Sequence, residues 1–541
     1  MISALSGWDN LIIFLYFAAT LGIGFFYSRK KDKDTSEYFL GGRSAGWLAV
    51  GASLFATNIS SEHFLGLAGS GSVRGFASGQ IEWMAIFFII FLGWILSPIY
   101  LKSGVFTVPE FFEKRFDSRV RNYLTGVSLL AYVLTKISVT LFAGGLLLRE
   151  LLGWDLVTSS VIMVMFAGIY AVSGGLKAVI NVHIVQTFLL IAAASIVTIF
   201  GLYEVGGIAG LKAKLPAEYF DLMKPASDKE YPWTGMLFGA PILAIWYWCT
   251  DQYIVQRILS AKSVKDARNG SFFAAGLKIL PLFILVMPGM IAAALNPNIS
   301  GDEAFPYLLN GGLLPEGIKG FVLAGIMAAL MSSLASVFNS SAALFTIDYY
   351  KPRHPEASER KLVLVGRLVT TVVVVTAILW LPLMKFVSKQ IYIYMQSVQA
   401  FISPPIVAVF IFGVFGKKAN SKGAFWTLVI GGAIGFLRLA LELLINAGAV
   451  SNPAIIAFSQ VNYLHFAALL FVFCSFLIFA LSKIWEKDNQ TEEERKAAFV
   501  LSIREEAQAI PAASFFAGRK NLFISAIILA AALLGIWGFI I

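Results

Sequence analysis

Long apolar runs recur from one end of this chain to the other, and that repetition constrains the fold more than any single residue does. A stretch of about 20 apolar residues crosses a bilayer as a helix, because a helix satisfies its own backbone amides in hydrocarbon. Hydropathy predicts about fourteen spans, at approximately 8–28, 46–71, 79–101, 122–150, 155–173, 178–203, 235–257, 271–296, 318–350, 362–384, 392–415, 422–446, 460–484 and 521–541. Only 14% of the 541 residues are charged, where soluble domains carry about a quarter. No stretch of soluble-domain size remains between the spans. The expected fold class is an all-α polytopic membrane protein forming a single transmembrane domain.

The formal charge of +10 suggests nucleic acid when taken alone, but its distribution points elsewhere. Arg29 to Lys33, Lys114 to Arg121, Arg257 to Arg268, Lys417 to Lys422 and Lys483 to Lys520 all fall on one side of the predicted spans. Basic loops collect on the cytoplasmic face, so no nucleic-acid partner is expected. An even span count then puts both termini outside the cytoplasm, in an inner or plasma membrane. The first apolar run, Leu11 to Phe26, is followed by Arg29-Lys30-Lys31 and not by a small-residue cleavage site, so it reads as a span. Cys249 and Cys474 lie in apolar segments and offer neither a disulfide framework nor a metal site. The charged stretch Glu486 to Ala509 reads as a solvated connecting helix.

Two spans carry polar islands. Span two holds Ala56-Thr57-Asn58-Ile59-Ser60-Ser61-Glu62-His63, followed by Gly66, Gly69 and Gly71; span seven holds Trp246-Tyr247-Trp248-Cys249-Thr250-Asp251-Gln252. Irregular backbone at membrane depth is tolerated only where it is buried or lines a cavity. Each island opens a block of five spans, which fits a five-plus-five inverted repeat of secondary transporters. The layout expected is a peripheral span and loop over 8–45, repeats over 46–203 and 235–415, and peripheral spans over 422–541.

Single charges inside spans mark candidate sites, since an intramembrane charge is costly and faces the protein interior. Glu82 is the only charge in span three, and Lys278 stands alone in span eight. A carboxylate and an ammonium on one cavity suit a neutral polyhydroxy ligand, whose hydroxyls both donate and accept. Each alone is also compatible with a structural role. His63 and Gln396 can add donors and acceptors. Ser332 and Ser333 sit in an apolar, small-residue run, where the Ser332 hydroxyl and the Ala329 carbonyl can face the same way. A broken span two frees further carbonyls, such as those of Ala56 and Ile59. Neutral oxygens of this kind suit a hard, reversibly held cation. Arg438 and Glu442, four residues apart, read as a structural ion pair, and His183 as a satisfied polar residue near the interface. No phosphate loop, metal cluster or catalytic triad emerges, so no enzyme activity and no cofactor beyond a coupling ion is expected.

The motifs Ala52 to Phe64, Trp246 to Arg257, Val286 to Met290, Leu330 to Leu334 with Phe338-Asn339-Ser340, and Gln396 with Pro404-Pro405 resemble the sodium:solute symporters, and within them the sodium/glucose cotransporter branch. The resemblance covers nearly the whole chain and implies a fourteen-helix, LeuT-like transporter. It implies a sodium site on the carbonyls of Ala56, Ile59 and Ala329 with the hydroxyls of Ser332 and Ser333. It implies a sugar site on Asn58, His63, Glu82, Lys278 and Gln396, with Tyr247 as the inner gate and Trp248 beside it. Partners expected on this basis are sodium, a sugar or polyol and the lipid bilayer, with no obligatory protein partner.

Three positions depart from the sugar carriers: Ala244 replaces a polar residue, Gln399 a threonine and Ile393 an aspartate. Tyr392-Ile393-Tyr394 and Ser61 to Phe64 look more like the inositol-transporting members. Members with a second sodium site carry an aspartate and a hydroxyl where this chain has His183 and Ala335, which implies one sodium per solute. The expected activity is sodium symport of a hexose (glucose, galactose) or myo-inositol. The alternatives are a sodium symporter for an organic acid or amino acid, a non-transporting sugar sensor, and a membrane-embedded sugar-processing enzyme.

Overall fold

The computed structural model describes residues 5–28, 34–299, 301–310, 312–380, 391–446 and 448–485, with positions 496, 500, 502 and 503 beyond them. Span fourteen and nearly all of the charged 486–509 stretch lie outside the described residues. Among the described residues there is no strand, only two isolated bridges, and ten helices are long and apolar enough to cross a membrane.

Local sequence explains where these helices stop and bend. Leu156–Val205 is one 50-residue helical run that turns at Gly175 (φ 54°), dividing spans five and six. That backbone conformation is strained for any residue with a Cβ, and a Cβ there would lie 2.6 Å from the Tyr38 carbonyl oxygen. Spans two and seven are each broken once. Trp47–Asn58 ends at extended Ile59 (φ −79°, ψ 119°), and helix resumes as a π-turn at Glu62–Leu67. In span seven the π-turn Ile245–Thr250 ends at extended Asp251 (φ −77°, ψ 123°), whose carboxylate caps Gln252–Leu259. The two breaks share nearly the same backbone angles and fall inside the two polar islands. An extended residue interrupts the i→i−4 ladder and releases carbonyls for other partners.

Span nine, Ile318–Ala343, forms the centre: 94% of its most apolar window is buried, against 17% for span one and 22% for span twelve. Around it the backbones pack closely. A Cβ on Gly289 would sit 1.8 Å from the Ala68 carbonyl oxygen, and one on Gly71 would sit 2.4 Å from that of Val286. Lipid supplies no hydrophobic force between helices, so small residues that allow such approach dominate membrane packing. The Val286 to Met290 motif is therefore the seam between span eight and the second half of span two.

Candidate functional site

The breaks of spans two and seven, with spans three, eight and eleven, surround one cavity of about 40 Å³. That is room for no more than a few waters, and less than a hexose requires. Asn58, His63, Glu82 and Lys278 line it, as do Tyr247, Trp248 and Gln396. The structure thus brings together all seven residues that the resemblance groups as a sugar site.

Their polar atoms are mostly engaged with one another. The Lys278 ammonium donates to the Glu82 carboxylate and, at 2.6 Å, to the Asn58 side-chain carbonyl. The Asn58 amide donates to the Tyr247 hydroxyl at 3.1 Å, and the Tyr392 hydroxyl to Glu82 Oε1 at 3.1 Å. His63 Nε2 lies 3.4 Å from the same carboxylate oxygen. Both charges are buried, which is tolerable because each is paired and hydrogen-bonded. Trp248 lies under the Lys278 ammonium, 5.5 Å from its ring centroid. The Gln396 and Gln399 side chains also line the cavity. The lining therefore offers donors, acceptors and aromatic faces in one place.

A second polar group lies at the break of span two, where the backbone from Ala56 to Ile59 meets span nine. Ser332 Oγ lies 2.8 Å from the carbonyl oxygens of both Ala56 and Ala329, and its single proton can serve either. Ser333 Oγ reaches the carbonyls of Thr57 (3.1 Å) and Ile59 (3.4 Å). All five residues proposed for sodium are thus in one contact, held where the break releases carbonyls toward span nine. No charged side chain takes part in these bonds. Thr57 extends the cluster through Ser336, whose hydroxyl is 3.0 Å from the Thr57 hydroxyl.

Other positions are as follows. The Arg438–Glu442 pair forms at 3.4 Å, as its spacing predicts. His183 is fully buried, with Nδ1 2.8 Å from Ser53 Oγ. Ala244 lines the cavity and Ile393 does not. Lys136 and Tyr392 line the cavity but are not among the site residues read from sequence. Lys136 carries the same signal as Glu82 and Lys278, a lone charge within the apolar part of span four. Tyr392 has no such signal, because tyrosines at span ends are ordinary interfacial residues.

The family profile described as "Sodium:solute symporter family" matches residues 38–431. Sodium/glucose cotransporter 2 of Rattus norvegicus is 38% identical over 552 residues, covering 93% of this chain and 82% of that one. Sodium/glucose cotransporter 1 of Sus scrofa is 38% identical over 521 residues, covering 88% of this chain and 78% of that one. Among solved structures, a Na+-coupled sialic acid symporter superposes with a TM-score of 0.74 at 22% identity, covering 88% of this chain and 98% of that one. The nucleobase-cation-symport-1 transporter Mhp1 gives 0.51 at 14% identity, covering 86% of this chain and 99% of that one. At these identities the structural likeness speaks to the fold alone, the LeuT-like all-α arrangement that the resemblance implies. Because the profile and the relatives span most of its length, the chain belongs to the sodium:solute symporter family, as a multi-pass membrane transporter with sodium as its coupling ion and not an enzyme.

Proposed function

We propose that the protein carries a hexose (glucose or galactose) or a cyclic polyol (myo-inositol) into the cell by sodium-coupled symport with alternating access. The observation that carries this reading is the cavity: a buried Lys278–Glu82 pair with Asn58, His63 and Gln396, lined also by Tyr247 and Trp248. Hydroxyls of a neutral polyol can replace the contacts these groups make with one another, and the aromatic faces suit the C–H face of a sugar ring. The sodium/glucose cotransporters related to this chain at 38% identity support the same substrate class.

In this mechanism sodium is held by the carbonyls of Ala56, Ile59 and Ala329 and the hydroxyls of Ser332 and Ser333. Filling that site ties span nine to the break of span two. Asn58 sits within the same turn and bonds the Tyr247 hydroxyl, so ion occupancy sets the lining that meets the solute. Because the cavity holds only about 40 Å³, solute entry must part the lining and replace its internal hydrogen bonds. The basic loops orient the chain with both termini extracytoplasmic in an inner or plasma membrane. The 46–203 and 235–415 blocks act as the two repeats that rock against each other, with 8–45 and 422–541 peripheral. Gln399 brings an amide to the cavity edge, and Ala244 removes a polar group; these two positions bear on the choice between glucose and myo-inositol.

One sodium per solute follows from His183 and Ala335. A second cation beside an imidazole, with neither carboxylate nor hydroxyl in those places, is poorly compensated. One charge contributes about 2.3 kcal/mol per 100 mV, and a tenfold sodium gradient about 1.4 kcal/mol. Uptake of labelled glucose into proteoliposomes, with and without an inward sodium gradient, tests the reading. Sodium-dependent uptake that myo-inositol competes for is expected, with a reversal potential corresponding to one sodium. If neither solute is taken up or competes, the solute class is wrong; a coupling number of two overturns the reading of His183 and Ala335.

A further inference from the structure

Span four does not cross the membrane as a regular α-helix. Between Ser118–Ala131 and Ser138–Leu152 it widens into a π-turn, Tyr132–Ile137. Such turns recur at functional sites because they re-aim side chains out of helical register. Here two side chains of the turn grip the break of span seven from both ends. The Tyr132 hydroxyl donates to the Asp251 carboxylate and accepts the Tyr253 backbone N–H at 2.9 Å. The Lys136 ammonium lies 4.3 Å from the ring centroid of Tyr247, before the break, and 5.4 Å from that of Tyr253, after it.

Lys136 is only 5% exposed. Among the described residues its ammonium makes no ion pair or hydrogen bond; it rests on these two ring faces at the cavity edge, within electrostatic reach of the Glu62, Asp251 and Glu82 carboxylates. A buried ammonium without a directly bonded counter-ion is costly, and the two rings are the groups that touch it, so they resist being pulled away. Tyr253 leads on to the other site: its hydroxyl donates to the Thr57 carbonyl, which the Ser333 hydroxyl also reaches at 3.1 Å. Lys136 therefore touches, through one ring each, the wall of the cavity and the carbonyl segment of span two.

We propose that Lys136 is a positioning residue that latches the gate: its ammonium holds Tyr247 and Tyr253 together, so that the cavity wall moves only with the segment carrying the ion-site carbonyls. This rests on reading Tyr247 as the inner gate and the serine cluster as the sodium site. A chain without the latch opens its gate independently of the ion, and coupling between the two ligands weakens while each site keeps its own contacts.

The test uses the full chain in proteoliposomes, as wild type, Lys136→Met and Lys136→Arg, with Lys136→Gln in reserve should the methionine variant fail to fold. Two readouts are taken per folded molecule: efflux of labelled sodium without any solute, and the factor by which sodium lowers the KM for labelled glucose. The methionine variant should leak sodium about tenfold faster and lose a similar factor of coupling, while arginine, which keeps the cation on the rings, should retain both. A merely structural lysine would lower the yield of folded protein and leave both readouts unchanged, and that result overturns the proposal. Should the wild type take up no sugar, the symport reading fails, whereas the solute-free sodium efflux still decides whether Lys136 is a latch.

Discussion

The five residues from Ala56 to Ser60 face two polar clusters of opposite character. On one side, carbonyls of Ala56, Thr57 and Ile59 meet two serine hydroxyls in bonds between neutral groups, with the Arg257 guanidinium reaching only the Thr57 hydroxyl, at 3.3 Å. On the other, Asn58 joins a network built on a buried ammonium and carboxylate. The difference follows from what each is read to hold. A hard cation that must leave again is served by weak neutral oxygens, and a fixed carboxylate beside it would retain it. A neutral polyol is recognised by strong, oriented donors and acceptors, and charged groups provide the strongest. Substitutions in the two clusters should accordingly differ in size and in kind.

The largest effect is expected from splitting the Lys278–Glu82 pair. Glu82→Gln leaves the Lys278 ammonium, 1% exposed, without a compensating charge. Removing one partner of a buried pair costs about 3–5 kcal/mol, whereas replacing both is often nearly neutral. Thermal unfolding in detergent should show a strong loss for Glu82→Gln and substantial recovery for Glu82→Gln with Lys278→Met. Transport should be absent in both. A single variant as stable as the wild type would mean that the pair is not what holds the cavity together, and the contrast with the neutral cluster would lose its basis.

Gln396→Ala should act differently, on affinity and not on stability. Its amide lines the cavity without belonging to the charged pair. A solute bound there would leave a hydroxyl unpaired in the variant, costing about 1–3 kcal/mol, or about ten- to a hundredfold in affinity. A glucose KM unchanged in this variant would remove Gln396 from the site.

How far these clusters can be read from sequence depends on the physics each residue obeys. Glu82 and Lys278 stand out because a lone charge in an apolar span has few explanations. The breaks at Ile59 and Asp251 lie within polar islands that no lipid-facing helix would carry. Lys136 bears the same mark as Glu82, yet its partners are two tyrosine rings from a span more than a hundred residues away, and no local pattern announces them. Tyr392 stands out only as part of the Tyr392-Ile393-Tyr394 resemblance and carries no charge signal, and the Thr57 carbonyl carries none because it is backbone. The Leu156–Val205 run shows the same limit in the fold: hydropathy separates its two spans, but the close approach of Tyr38 to Gly175, where they turn, has no local signal.

The smallest effect should come from the neutral cluster, and its size sharpens the contrast most. Ser333→Ala removes a hydroxyl whose contacts to Thr57 and Ile59, at 3.1 and 3.4 Å, are longer than those of Ser332. The freed carbonyls stay in place on span two, so a sodium ion would lose one oxygen of several and no compensating charge would be stranded. A neutral hydrogen-bonding group of this kind contributes about 0.5–1.5 kcal/mol, which corresponds to roughly a two- to tenfold rise in the sodium concentration for half-maximal uptake. Ser332→Ala should lie at the upper end, because its hydroxyl links Ala56 of span two to Ala329 of span nine at 2.8 Å on each side. Both variants should keep the wild-type glucose KM at saturating sodium, since neither hydroxyl reaches the cavity. Sodium titrations of uptake at fixed glucose read these shifts directly. If neither serine variant changes the sodium dependence, the carbonyl-serine contact is a helix clasp, and the ion binds elsewhere in the protein.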